Sequence, residues 1–247
     1  MTAIIYRIII LRLFLLPLLL TCSLASVASF AIGAEKAAEK AAEKASNKPT
    51  PSLARQVQVG NLVYAGSKTS KCFSDSFLAS VRKDSGINLE TKFTLVKSAS
   101  SADFAGVGFA VMTGEGAFVM TADERKNMKT WLDNGGFLLA SAGCSSKEWA
   151  ASLRSEMVQM FGKNAFTAVT KEHPLFQTIY DVRSTTLKHD GQARFEGLIL
   201  DGRLACLFSP EGLNDSSKVD GCCCCGGNEI TNAHQIVANA LVYALVE

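Results

Sequence analysis

The fold class is decided by residues 131–149, WLDNGGFLLASAGCSSKEW. The apolar run Phe137–Ser141 is nearly continuous, which is typical of a strand buried on both faces of a parallel sheet. The sequence Asn134–Gly136 precedes this run and is of the kind that ends a helix. Ser145 and Glu148 follow it with the spacing of a helix capping box. The stretch therefore predicts the end of one helix, a buried strand and the start of another helix.

The same alternation continues on both sides of this stretch. Further strands are predicted at Val57–Tyr64, Phe93–Val96 and Val107–Met112, and further helices at Phe73–Ser85, from the capping box Thr121–Glu124, and at Asn232–Leu245. Strands that alternate with helices indicate a three-layer α/β domain, with a mostly parallel sheet and helices on both faces. Asp201-Gly202 lies between two apolar runs, which predicts an antiparallel hairpin late in the chain.

Residues 1–34 are predicted to be a targeting segment. They contain Arg7 and Arg12, an apolar stretch over Ile8–Leu20 and small residues after it, which is the order of a secretory signal peptide. A lipoprotein signal acylated at Cys22 and an uncleaved membrane anchor are the two alternatives. All three predict export to the periplasm or another extracytoplasmic compartment.

Residues 35–52 are predicted to be a stalk and linker. Residues 35–46, EKAAEKAAEKAS, repeat strong helix formers with a period of four and contain no large apolar side chain, so the helix is predicted to be a solvated spacer. Pro49 and Pro51 end it. Residues 53–247 then form the single predicted α/β domain, held near a membrane by the segment before it.

The charge balance argues against nucleic acid as a partner. The 247 residues include 25 basic and 23 acidic ones, and both arginines of the targeting segment would leave with it. The exported part then has no net charge, whereas phosphate binding needs an excess of Lys and Arg. A hydrophobic content of 48% also excludes a disordered chain. The partner expected is a protein or a small ligand.

Several short motifs occur in an order that resembles a bacterial family known as domain of unknown function 4159. They are Gly60–Tyr64, Met112–Phe118, Trp131–Leu139, Leu153–Met157, Glu172–Phe176, Glu196–Arg203 and Asn239–Ala244. The resemblance covers about Val57 to Val246 and implies a fold similar to class I glutamine amidotransferases and trehalose-utilisation proteins, a flavodoxin-like arrangement. It implies no established catalytic activity. In that family an acid often stands where this chain has Ser141, and a Cys where it has Gly143.

Cys144 is the candidate nucleophile. It follows the predicted buried strand and precedes a predicted helix, and such a turn exposes a side chain and aims helix N–H groups at an oxyanion. His173 is the candidate base, with Glu172 or Glu196 as its orienting acid. A structural thiol at Cys144 and a turn role for His173, which precedes Pro174, are the alternatives.

Four adjacent cysteines, Cys222, Cys223, Cys224 and Cys225, form the most unusual stretch of the chain. Thiolates bind zinc or another thiophilic metal, and the run is therefore a candidate metal or redox site. Disulfides, with Cys72, Cys144 or Cys206 as partners, and a purely structural role are the alternatives.

The loop Thr113, Gly114, Glu115 and Gly116 follows a predicted strand. It is a candidate ligand-binding loop, since ligands bind at the carboxyl edge of parallel sheets. It has neither the glycine spacing of a dinucleotide-binding loop nor the lysine of a P-loop, so nucleotide binding is not supported.

These observations favour an exported, membrane-proximal α/β binding module with no established catalytic activity. Two alternatives stay open: a Cys-dependent hydrolase or amidase that uses Cys144 and His173, and a thiol-rich metal or redox protein that uses Cys222–Cys225. Whether the chain is an enzyme is not decided by its sequence.

Overall fold

A computed structural model describes residues 56–70, 73, 75–213 and 229–246. The predicted targeting segment, the predicted stalk and Cys222–Cys225 lie outside the described residues. No helix within the described ranges is long and apolar enough to cross a membrane.

The described residues form eight strands and four α-helices. The strands are β1 Gln58–Tyr64, β2 Lys68–Thr69, β3 Thr94–Lys97, β4 Val107–Gly114, β5 Phe137–Ala142, β6 Thr167–Ala168, β7 Glu196–Leu200 and β8 Arg203–Ser209. The helices are α1 Asp75–Ser85, α2 Ala122–Asp133, α3 Lys147–Phe161 and α4 Ala233–Val246. Short 3₁₀ helices occupy Ser101–Phe104, Gly143–Ser145 and Pro174–Gln177.

The sheet is mostly parallel at its centre. Strands β1, β4, β5 and β8 lie side by side in that order and run parallel, and β3 pairs in parallel with β1. Beyond β8 the sheet continues with β7 and β6, each antiparallel to its neighbour, and β2 pairs antiparallel with the end of β1. The predicted parallel sheet and the late hairpin are confirmed. The hairpin turns at Asp201 and Gly202, whose φ values of 51° and 82° fit a two-residue turn.

Each face of the sheet has its own apolar core, and β5 is buried along its whole length. On one face the core includes Phe77 of α1 and Ile236 of α4, and on the other it includes Met128 of α2 and Trp149 of α3. Since helices cover both faces, the predicted three-layer α/β class is confirmed.

The two predicted capping boxes have different outcomes. At α2 the prediction is confirmed, because Thr121 Oγ1 accepts from the Glu124 amide (3.2 Å) and Glu124 Oε2 accepts from the Thr121 amide (2.7 Å). At α3 the box predicted at Ser145 is wrong, since the N-cap is Ser146, whose hydroxyl accepts from the Trp149 amide. Ser145 belongs instead to the preceding 3₁₀ turn, where its φ is 53°, so the helix begins one residue later.

Candidate functional site

Three loops meet at the carboxyl edge of the central strands. They follow β4, β5 and β8, which are adjacent and parallel, and this edge is where ligands bind in open parallel sheets. The first two loops are joined directly, because the Gly116 amide donates to Ser146 Oγ at 3.1 Å. The predicted ligand-binding loop Thr113–Gly116 therefore lies beside the N-terminus of α3.

A row of buried hydroxyl residues ends the three central strands. Thr113 of β4 is in register with Ser141 of β5, which is in register with Ser209 of β8, and all three are at most 2% exposed. Ser141 Oγ accepts from the Leu213 amide at 2.8 Å, so the row fixes the chain that leaves β8. Thr113 is a predicted ligand-loop residue, and Ser141 is the position where the resembling family often has an acid. Neither serine is predicted as a site residue, although each is a polar residue at the end of an apolar strand.

The loop after β4 rests on two buried aromatic side chains. Tyr64 Oη donates to the Thr113 carbonyl (2.9 Å) and accepts from Trp149 Nε1 (2.8 Å). Burial raises the pKa of Tyr64 to about 12. A Cβ atom at Gly114 would collide with the Tyr64 hydroxyl and lie 2.8 Å from Trp149 Nε1. The tyrosine hydroxyl can occupy this position only because residue 114 is glycine.

Cys144 lies at this edge, directly after β5, in a left-handed conformation with φ of 50°. Its Sγ donates to Glu115 Oε1 at 3.1 Å. The contact joins two residues that the sequence assigned to different candidate sites. One partner of the thiol is therefore a carboxylate, and not the imidazole predicted as its base.

His173 has a different environment. Its Nδ1 accepts from the Leu175 amide (3.2 Å) and caps the 3₁₀ helix Pro174–Gln177, in keeping with the predicted turn role. Its ring packs edge-on against Tyr243 of α4, which packs against Phe137 at the start of β5. Cys144 follows the other end of β5. The structure therefore does not bring Cys144 and His173 together.

The two acids predicted to orient His173 have other partners. Glu196 binds Arg154 through two hydrogen bonds, one of them from Nε at 3.0 Å. Glu172 is exposed, and a hydrogen bond from Thr170 lowers the pKa of its carboxyl. Neither contact orients an imidazole.

A cavity of about 400 Å³ opens between the start of α3 and the turn after β8. We call it the arginine cavity. Its walls are Ser145, Ser146, Lys147, Ala150, Arg154, Arg194, Pro210 and Glu211. Three of these side chains are cationic and one is a carboxylate, and a second carboxylate, Glu196, pairs with Arg154. Together these side chains have one net positive charge.

Both arginines are held in place by carboxylates. The Arg154 guanidinium pairs with Glu196 and lies over the Phe208 ring, 5.0 Å from its centroid, and Glu196 raises the pKa of Arg154. Arg194 binds Glu211 through Nε at 3.1 Å and through its backbone amide at 3.0 Å. Neither arginine is predicted from the sequence as a site residue, because the partners of Arg154 and Arg194 are 42 and 17 positions away.

A larger cavity, about 700 Å³, lies at the opposite, amino edge of the sheet, between Phe104 and the end of α2. Its floor includes Trp131, whose Nε1 is already bonded to the Val107 carbonyl at 2.7 Å. We favour the arginine cavity as the site despite its smaller volume. It combines fixed cations with the carboxyl edge, where parallel sheets bind ligands.

In the described part of the chain, no group of three or more His, Cys, Asp or Glu side chains is placed to hold a metal ion. Because Cys222–Cys225 lie outside that part, the predicted thiophilic metal site stays a prediction.

Comparison with known proteins identifies one family. The family model described as "Domain of unknown function (DUF4159)" matches residues 62–245. No curated protein matches the chain. The match confirms the resemblance drawn from the order of the short motifs.

Proposed function

Because the chain belongs to the DUF4159 family, a domain of unknown function, we propose a function from the site itself. The chain is an exported, membrane-proximal module that binds a small ligand at the carboxyl edge of its sheet. The observation that carries this proposal is the arginine cavity, where fixed polar side chains converge beside the ends of β5 and β8. Small-molecule sites are concave and use convergent polar groups to orient the ligand. The walls of this cavity are mostly polar, which favours a polar ligand.

The contacts of Cys144 and His173 favour binding over hydrolysis. A hydrolase of the predicted kind needs a base within hydrogen-bond reach of its nucleophile. Cys144 follows the carboxyl end of β5, whereas His173 packs on Tyr243, which packs on Phe137 at the amino end of the same strand. The binding module is therefore the better account of this edge.

Export and membrane proximity rest on the sequence of residues 1–52. We expect the full chain, expressed in a bacterium, to fractionate outside the cytoplasm, and a variant that lacks residues 1–34 to stay inside. Recovery of both proteins in the cytoplasmic fraction would contradict export without bearing on the cavity.

Ligand binding is tested by screening a mixed library of small metabolites against the full chain and recording the melting temperature. Ala150 lines the arginine cavity and is 3% exposed, so Ala150→Met places a flexible side chain in that space. We expect the compounds that raise the melting temperature of the wild type to have less effect on Ala150→Met.

Ala151→Met is the matched control, because Ala151 is the next residue of α3 and is exposed. It should respond to the same compounds as the wild type. The proposal is wrong if no compound raises the melting temperature, or if Ala150→Met and Ala151→Met respond equally.

A further inference from the structure

We infer that the arginine cavity binds the oxyanion group of its ligand, a carboxylate or a phosphate. This inference rests on the proposed function and names the chemical class of the ligand.

The single carboxylate in the cavity wall is already bound. Glu211 is 7% exposed, and its two oxygens accept from Arg194 and from Ser209 Oγ. A cationic ligand would therefore have to displace Arg194 from this carboxylate. An anion would instead be attracted by the positive charges of Lys147, Arg154 and Arg194.

Both guanidinium groups keep donors for a ligand. A guanidinium has five N–H donors. The Glu196 carboxylate pairs with Nε and Nη2 of Arg154. The Glu211 carboxylate pairs with Nε and Nη2 of Arg194. The Nη1 atoms are not used in these pairs, and charge-assisted bonds from them would be strong. Since the carboxylates already hold each arginine, binding costs less side-chain freedom than it would with two mobile arginines.

The cavity also lies beside the N-terminus of a helix. Its wall includes the first residues of α3, a helix of 15 residues, and the N-terminus of a helix favours negative charge. The neighbouring Glu148 carboxylate accepts a hydrogen bond from Ser146 Oγ at 3.1 Å. Its pKa is lowered by a bond from its own backbone amide. Because Glu148 already uses this terminus, the preference for an anion rests mainly on the arginine donors and Lys147.

The inference is tested by calorimetric titration of the full chain with succinate and with inorganic phosphate. Succinamide, a neutral analogue of succinate, serves as the comparison ligand. We expect at least one of the two anions to bind at one site per chain, with an affinity that falls as salt is added. Succinamide should not bind measurably.

Arg194→Ala should weaken anion binding about tenfold or more, because it removes a charged donor. Arg194 is 73% exposed, so the variant is expected to fold, and Lys147→Ala is a second exposed variant at the same wall. Arg183→Ala is the matched control. Arg183 is also an exposed arginine in an ion pair, with Asp181 at 2.6 Å, and it does not line the cavity. It should leave anion affinity unchanged.

The outcomes separate this inference from the proposed function. If neutral compounds bind in a way that depends on Ala150 and neither anion binds, the oxyanion inference is overturned and the proposed function stands. If an anion binds equally to the wild type, Arg194→Ala and Lys147→Ala, the inference is overturned as well. If nothing binds in either experiment, both are wrong.

Discussion

At the scale of single residues, Gly114 decides how the loop after β4 packs. Its missing side chain leaves the space that the Tyr64 hydroxyl occupies. We expect Gly114→Ala to lower the free energy of unfolding by about 1–3 kcal/mol, because overpacking forces neighbouring atoms to move. Chemical denaturation followed by circular dichroism measures this change.

Gly108→Ala is the control for that substitution. Gly108 lies in the same strand, and a Cβ atom there would meet only the Leu245 side chain, at 4.0 Å. We expect the free energy of unfolding of Gly108→Ala to be close to that of the wild type. Equal losses in the two variants would show that glycine in β4 matters for backbone reasons and not for the space it leaves.

Tyr64 should make the protein less stable at alkaline pH. Its pKa is about 12 in the folded chain, above the usual value of 10.0, because of burial. The unfolded chain therefore loses this proton first as pH rises, and the associated stability is present below pH 10 and is lost between about pH 10 and 12. The loss is on the order of 2 kcal/mol.

Denaturation curves recorded across this window measure the effect. Tyr64→Phe should be less stable than the wild type at neutral pH, because Trp149 Nε1 and the Thr113 carbonyl lose their partner. It should also lose less stability between pH 10 and 12. Tyr180 shares the window, with its pKa raised to about 12 by the hydrogen bond to Asp84, so Tyr180→Phe serves for comparison. An unchanged alkaline slope in Tyr64→Phe would contradict the prediction.

At this scale the sequence predicted contacts between near neighbours and missed distant ones. The capping box of Thr121 and Glu124 spans three residues and was recognisable from spacing alone. The contact between Cys144 and Glu115 joins two loops and had no local signal. The N-cap of α3 was placed one residue early, because a left-handed turn at Cys144 and Ser145 cannot be read from side-chain types.

At the scale of elements, apolar runs, helical periodicity and capping residues together were sufficient for the long strands and for all four helices of the described ranges. Periodicity fails for short elements. β2 and β6 have two residues each, too few to show alternation, and they were not predicted. Apolar periodicity also does not predict the order of the strands, because β8 pairs with β5 across more than sixty intervening residues.

Helices α2 and α3 are joined by a buried ion pair that offers a matched comparison. Arg125 of α2 binds Glu156 of α3 at 2.8 Å, and the Glu156 side chain is 2% exposed. Lys129 and Asp133 form a pair of the same length on α2, with side chains 43% and 44% exposed. The first pair joins two helices and buries its carboxylate, whereas the second lies within one helix and is open to water.

We expect Glu156→Gln to cost about 1–3 kcal/mol of folding free energy. Both carboxylate oxygens are used, one by the Met120 amide and one by Arg125 Nε, whereas glutamine has one acceptor oxygen and would turn an NH2 donor toward the other partner. Asp133→Asn should cost at most about 0.5 kcal/mol, as exposed pairs do. Urea denaturation of both variants tests this. If Glu156→Gln loses as little folding free energy as Asp133→Asn, the ion pair between α2 and α3 contributes little to stability.

At the scale of the whole molecule, the arginine cavity is assembled from distant parts of the chain. Its walls come from residues 145–154, 194 and 210–211, which meet only after β5 and β8 have paired. The sequence could predict that ligands bind at this edge, because that follows from the fold class. It could not predict which charges meet there, because that depends on pairs such as Arg154 and Glu196.

The cysteines are best tested on the full chain, which has eight of them. The metal alternative predicts that the protein, purified without oxygen and without chelator, contains a thiophilic metal such as zinc in near-stoichiometric amount. Metal should be lost when Cys222–Cys225 are replaced by serine, because thiolates are its ligands.

Cys206→Ala is the control. Cys206 is fully buried in the sheet, and burial raises the pKa of its thiol, so it should react with thiol reagents only after unfolding and its removal should leave the metal content unchanged. Thiols that are protected in the absence of metal, and released by a reductant, would show that the run forms disulfides and would overturn the metal prediction.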